Sequence, residues 1–183
     1  MEGLKYSDYD QWSEISKQYI FEAWVPFVPD RPLDFFVHNE GSVTEGFITS
    51  VIDDRTVYSI HKAVIPLKRR KVVILTADSL CKDKYYPDIL VAKIVSIKDH
   101  HRDQEWYKLL VQDKHALFVH LPAEITGEES YINMAQVTSI GKKLLIEKKN
   151  ILSAGRMQLV ERRHKECIDL GVIKTEIEEA INE

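Results

Sequence analysis

Hydrophobic positions along this chain fall mostly into short runs bounded by turn residues, which is the pattern of a β-rich protein. Near the start, Trp12, Ile15 and Tyr19 share one helical face, with Ser7 as a cap and Asp10 three residues on, so a packing helix is predicted from Ser7 to about Tyr19. The run IFEAWVPFVP reads as a strand ended by Pro26 or Pro29, followed by the turn-rich PDRPLDFF. SVTEGFITSVIDDRTVYSI suggests two short strands around a turn at Asp53 and Asp54. The β-branched run VVIL and the segment ILVAKIVSI read as buried strands, with DSLCKDKYYPD a loop between them.

After the polar break HHRDQE, the runs WYKLLVQ and HALFVH predict a hairpin turning at Asp113 and Lys114. PAEITGEES reads as a loop, and YINMAQVTSI and KKLLIEK as two strands around Gly141. Ser153 can cap a last helix that turns Met157, Val160, His164, Cys167 and Ile168 inward and stops at Gly171. The expected fold is mainly β with α: a small, partly open β-barrel with a C-terminal helix and an extra N-terminal helix.

Length and charge narrow the picture. The 183 residues suffice for one well-buried core. A net charge of −4 argues against a protein that coats nucleic acid over its whole surface, but a local basic groove is compatible with it. Cys81 and Cys167 lie far apart without partner spacing, as expected of free thiols in a reducing compartment. His164 and Cys167 alone are too few ligands for zinc, so no metal or other cofactor is expected. Without an apolar signal region or a run of spanning length, a cytoplasmic protein with no membrane association is expected.

The basic cluster Lys68-Arg69-Arg70-Lys71, at the head of a buried strand, is the most promising functional feature. Three segments in order give it context: RRKVVILT, then YYPDILVAKIVSI, then SYINMAQVTSIGKKLL followed by ILSAGRMQLVERRHKECIDLGV. In this order and spacing, from about Arg69 to Val172, the chain resembles the MazF/PemK family of toxin endoribonucleases. IFEAWVPF is similar to that family's first strand. The resemblance implies an SH3-like barrel spanning residues 21–173, with a long insertion at 29–66, a helical extension at 1–20 and an acidic tail at 174–183. It also implies a homodimer whose interface groove takes single-stranded RNA, and an antitoxin protein that competes for the groove and forms a DNA-binding complex with the toxin. The implied reaction is metal-free: the ribose 2′-hydroxyl attacks the adjacent phosphate, leaving a cyclic phosphate and a free 5′-hydroxyl.

A doubly charged phosphorane needs a fixed cation, and the planar fork of arginine matches phosphate oxygens. The resemblance puts Arg70 in the place of the family's catalytic arginine, with Lys71 where the family has proline. The family's catalytic threonine or serine falls on Val95, which cannot move a proton. Ser96, next to it, is the substitute candidate, provided that the strand ends or bulges there. Arg69, Lys71, Lys93 and Gln136 are candidate RNA contacts, Lys93 on the face of Val95 and Gln136 matching a family glutamine near the groove.

Trp24, Phe27, Tyr85 and Tyr86 are aromatics that can stack on bases. Lys142-Lys143, Lys148-Lys149 and Arg162-Arg163 can extend a phosphate track, whereas His100-His101 reads as a solvated loop. Three functions follow: an endoribonuclease toxin, a catalytically degenerate relative that binds RNA or a partner peptide in the same groove, or a structural β-barrel domain of a larger assembly.

Overall fold

The computed structural model describes residues 5–27, 34–38, 42, 44–49 and 62–168. The expected turn at Asp53 and Asp54, the stop at Gly171 and the acidic tail lie outside them. The chain divides into two compact units, Val25–Lys68 and the remainder.

The larger unit is built on an antiparallel six-stranded sheet that does not close, in the order β7-β8-β6-β5-β1-β9. The strands are β1 (Tyr19–Pro26), β5 (Leu67–Ile74), β6 (Asp88–Ser96), β7 (Phe118–Leu121), β8 (Ser130–Gly141) and β9 (Leu145–Ile151). The C-terminal helix α4 (Ala154–Ile168) covers one face of the sheet. Its Met157 and Val160 pack on Ile20, Val73, Ala92, Ile94, Val119, Leu121, Ile132 and Met134. Ser153 serves as expected, its hydroxyl accepting from the Arg156 amide at 3.3 Å. Ile168, expected to face inward, is exposed. The fold is thus mainly antiparallel β with a C-terminal helix. Among the described residues, no helix is long and apolar enough to cross a membrane.

The smaller unit contains a three-stranded sheet, β3-β2-β4, formed by β2 (Asp34–His38), β3 (Gly46–Thr49) and β4 (Lys62–Val64). Within this unit the Phe27 amide donates to the Pro66 carbonyl at 2.9 Å.

Three local expectations are corrected. The N-terminal segment is not one α-helix but two 3₁₀ stretches, Lys5–Ser7 and Tyr9–Glu14. Asp8, not Ser7, caps the second, its carboxylate accepting from the Asp10 amide. Trp12 anchors this tight path by donating its indole N–H to the Tyr6 carbonyl at 2.9 Å. WYKLLVQ is not a strand: α2 (Glu105–Val111) takes its place, and only β7 survives of the hairpin. Trp106 and Leu110 are one helical repeat apart, and Leu110 is buried. The two segments read as loops contain short helices, α1 (Asp78–Lys82) and α3 (Ala123–Thr126), the latter ended by Gly127 at φ 81°.

Both cysteines are free thiols. Cys81 is buried, donates to the Thr76 carbonyl at 3.3 Å, and has its pKa pushed up to about 11 by that burial.

Candidate nucleic-acid interface

The strand geometry of β5 separates the basic cluster. Successive side chains on a strand point to opposite faces. Val73 lies on the α4 face, so Arg69 and Lys71 alternate with it there, and Arg70 alternates with Val72 on the other face. Arg69 donates to the Glu22 carboxylate at 2.6 Å. Lys71 donates to the Thr126 carbonyl at 2.6 Å and lies 3.4 Å from a Glu128 carboxylate oxygen. Lys68 belongs to the smaller unit, where its ammonium stands 3.4 Å from the Phe27 ring centroid. Arg70 is exposed; its guanidinium donates to the Arg69 carbonyl at 3.2 Å, and among the described residues no carboxylate pairs with it.

Strand register assembles the face on which Arg70 lies. Val72 of β5 pairs with Lys93 of β6, Lys93 with Asn133 of β8, and Asn133 with Phe118 of β7. The next row on that face runs from Val95 to Tyr131 to His120. The β5–β6 ladder stops at Val72, and two further steps in the same register would set Arg70 opposite Val95. Lys93 is half-buried and, among the described residues, its side chain has neither a hydrogen bond nor an ion pair. Neighbouring strands stand about 4.8 Å apart, so Lys93 and Asn133, directly paired across β6 and β8, are adjacent on this face. Trp106 of α2 packs edge-on against Phe118 and Tyr131, at 5.8 and 5.6 Å between ring centroids, and borders the β7 end of this face.

Gln136 is positioned by a bulge. One step along β6, from Ala92 to Lys93, spans the partners Val137 and Asn133 on β8, leaving Met134, Ala135 and Gln136 outside the ladder. The Asn133 side chain accepts from the Ala135 amide at 3.0 Å and braces the bulge, while Gln136 is exposed. Asn133, beside Lys93, was not singled out by sequence, because only the register brings it there.

Ser96 lies with Lys71, not with Arg70. It continues Ala92 and Ile94 on the α4 face and pairs with Ser130. The Glu128 carboxyl is held below the usual glutamate value against the effect of burial, first by the nearby Ser96 hydroxyl and then by the Lys71 and Lys98 charges. Lys71 also lines a shallow cleft of about 290 Å³ with Ile20, Glu124, Ile125, Thr126, Gly127, Lys149 and Asn150.

The remaining basic runs are largely engaged. Lys142 is buried, Lys148 stands 3.7 Å from the Tyr19 ring centroid, and Lys149 pairs with Glu147 and Glu22. Arg163 pairs with Glu166 at 2.6 Å. A phosphate track through Lys142 is therefore excluded. Trp24 is half-buried, whereas Tyr85 and Tyr86 are exposed. His100 is exposed, and the His101 ring accepts from the Lys98 amide at 3.1 Å. Among the described residues no group of three or more His, Cys, Asp or Glu side chains is placed to hold a metal ion.

The Glu22 pair makes a checkable contribution. Its hydrogen bond with Arg69 holds the Glu22 carboxyl below the usual glutamate value, against burial, with the charges of Arg69 and Lys149 assisting. Its folded pKa is lower than its unfolded one, so its stabilisation is complete above the ordinary carboxylate range and lost as pH falls through the folded value. Glu22→Gln is expected to flatten the acid limb of stability against pH, measured by urea midpoints between pH 6 and about 3. An unchanged acid limb would contradict this.

No family model matches the chain, and no curated protein does. Among solved structures, the chain is similar to an endoribonuclease in complex with its cognate antitoxin from mycobacterial species, at 9% identity over 75% of this chain and 89% of that one, with a TM-score of 0.38.

Proposed function

We propose that this protein is a toxin-type endoribonuclease that takes single-stranded RNA on the sheet face bearing Arg70 and cuts it without metal by 2′-hydroxyl attack. The observation that carries this reading is the pairing pattern of the cluster. Arg69 and Lys71 are held by protein partners, whereas Arg70 and Lys93 have no carboxylate partner among the described residues and share one face. An unpaired guanidinium at the edge of such a face is suited to a phosphate, and Lys93 to the next one along. Asn133 and exposed Gln136 supply amide groups for base edges. In this reading an antitoxin segment competes for the face and two copies of the chain form its groove.

The test is direct. Purified protein in EDTA, given a broad pool of single-stranded RNAs, should yield fragments ending in cyclic phosphate and fragments starting with 5′-hydroxyl. A pool left intact rejects the enzyme reading.

One observation favours a second reading, an RNA-binding relative that does not cut. Val95 has no hydroxyl, and the Ser96 side chain lies on the α4 face. Val95→Thr separates the two readings. Cleavage that appears only in the variant identifies a degenerate site, and equal cleavage by both shows that the proton is moved by another group.

A further inference from the structure

A cleaving site needs a proton acceptor for the 2′-hydroxyl. Val95 cannot serve, Ser96 lies on the α4 face, and Arg70 and Lys93 are cations. The same face holds one imidazole in a suitable setting. His120 of β7 sits directly across from Tyr131, which sits directly across from Val95. The His120 Nε2 lies 2.9 Å from a Glu129 carboxylate oxygen. That oxygen also accepts the Tyr107 hydroxyl at 2.9 Å, and the other accepts Arg102 at 2.9 Å. Both members of the pair are largely shielded, His120 at 16% exposure and Glu129 at 20%.

We infer that His120, oriented by Glu129, is the acid–base residue of the Arg70 face, acting on the ribose 2′-hydroxyl of a bound single-stranded RNA. The inference rests on the endoribonuclease reading of that face. A carboxylate only accepts hydrogen bonds, so Nε2 carries the proton, and in the neutral ring Nδ1 keeps its lone pair. That nitrogen has no hydrogen-bond partner among the described residues. By contrast, His101 and His115 each use Nδ1 to accept backbone amides, at 3.1 Å.

Glu129 is a positioning residue. Burial acts to raise its pKa, but the hydrogen bonds from His120 and Tyr107 and the Arg102 charge outweigh it and hold the carboxyl below the usual value. It therefore stays ionised and fixes the ring.

The step balances without a cofactor. The 2′-hydroxyl proton passes to His120 Nδ1 as O2′ bonds to phosphorus. The bond from phosphorus to O5′ breaks, and O5′ takes a proton from water to become the 5′-hydroxyl. His120 then returns its proton to solvent. Arg70 neutralises the phosphoryl oxygens throughout.

The charged and titratable groups facing His120 are Glu129 before β8, Tyr131 on β8, Tyr107 on α2 and Arg102 in the turn before α2. Of these Glu129 is the anion, and its carboxylate fixes the ring.

The experiment uses the whole chain and a fluorescent single-stranded RNA pool, with cleavage followed in single turnover and binding by anisotropy. His120→Gln should cut about 100-fold more slowly or worse, with affinity within about twofold of the parent. Glu129→Gln should cut more slowly than the parent with RNA affinity within about twofold of it, as expected of a group that only positions the ring. A folded His120→Gln protein that cuts within about threefold of the parent overturns the inference alone. Should that variant not fold, a Glu129→Gln protein that cuts as fast as the parent overturns it. A parent that cuts nothing removes the endoribonuclease reading itself, and the inference with it.

Discussion

Arg70→Ala should abolish RNA cleavage while leaving the fold intact. A preorganised donor aimed at the charge of a transition state is worth roughly 100- to 1000-fold in rate, about 3–4 kcal/mol. Arg70 is the strongest such group on its face. Its guanidinium is exposed and bonds to its neighbour's carbonyl, so among the described residues no carboxylate loses a partner when it is removed. The expected change in stability is therefore within about 0.5 kcal/mol. Arg69→Ala is the matched control. It frees Glu22 from its ion pair, and its main effect should be on stability, not cleavage. Single-turnover cleavage and urea unfolding of the two variants distinguish these outcomes. An Arg70→Ala protein that cuts as fast as the parent would show that the phosphate is bound elsewhere.

Lys142→Ala should cost the protein about 3–5 kcal/mol, a large share of the stability of a domain this size. Lys142 is fully buried, at 0% exposure. Its ammonium donates to the carbonyls of Leu80 at 2.8 Å and Asp83 at 2.9 Å, at the C-terminal end of α1. It also stands 4.2 Å from the Trp12 ring centroid. Burial drives its pKa below the usual lysine value, with the charges of Cys81, Asp83 and Asp88 acting the other way. Truncation removes the ammonium from two part-buried carbonyls, of which that of Asp83 keeps the Tyr86 amide at 3.4 Å, and opens a void beneath the N-terminal segment. Lys142→Met, which fills the space but donates nothing, should fall between the alanine variant and the parent. Urea unfolding measures the series; a loss below about 1 kcal/mol for Lys142→Ala would mean that the carbonyls find other donors.

Lys142 shows where sequence reading runs out. In the chain it is one of two adjacent lysines and looks like a solvated pair. Nothing local marks it, because its partners Leu80, Asp83 and Trp12 are more than fifty residues away. The WYKLLVQ segment failed for a different reason. Its short apolar run fits strand and helix alike, and the packing of Leu110 decided for helix.

The sequence by itself determined the mainly β fold with its C-terminal helix, most of its strands and the cap at Ser153, because strand alternation, breaker residues and capping are local physics. It also singled out the cluster at Lys68 to Lys71. Only the tertiary structure divided that cluster, giving Arg69 and Lys71 protein partners and leaving Arg70 without a carboxylate partner among the described residues. It put Ser96 with Glu128, and it brought Lys93, Asn133, Tyr131 and His120 into neighbouring rows with Val95. These placements depend on cross-strand register and on a three-residue bulge in β8. Both are set by long-range pairing between strands, which no stretch of sequence encodes alone.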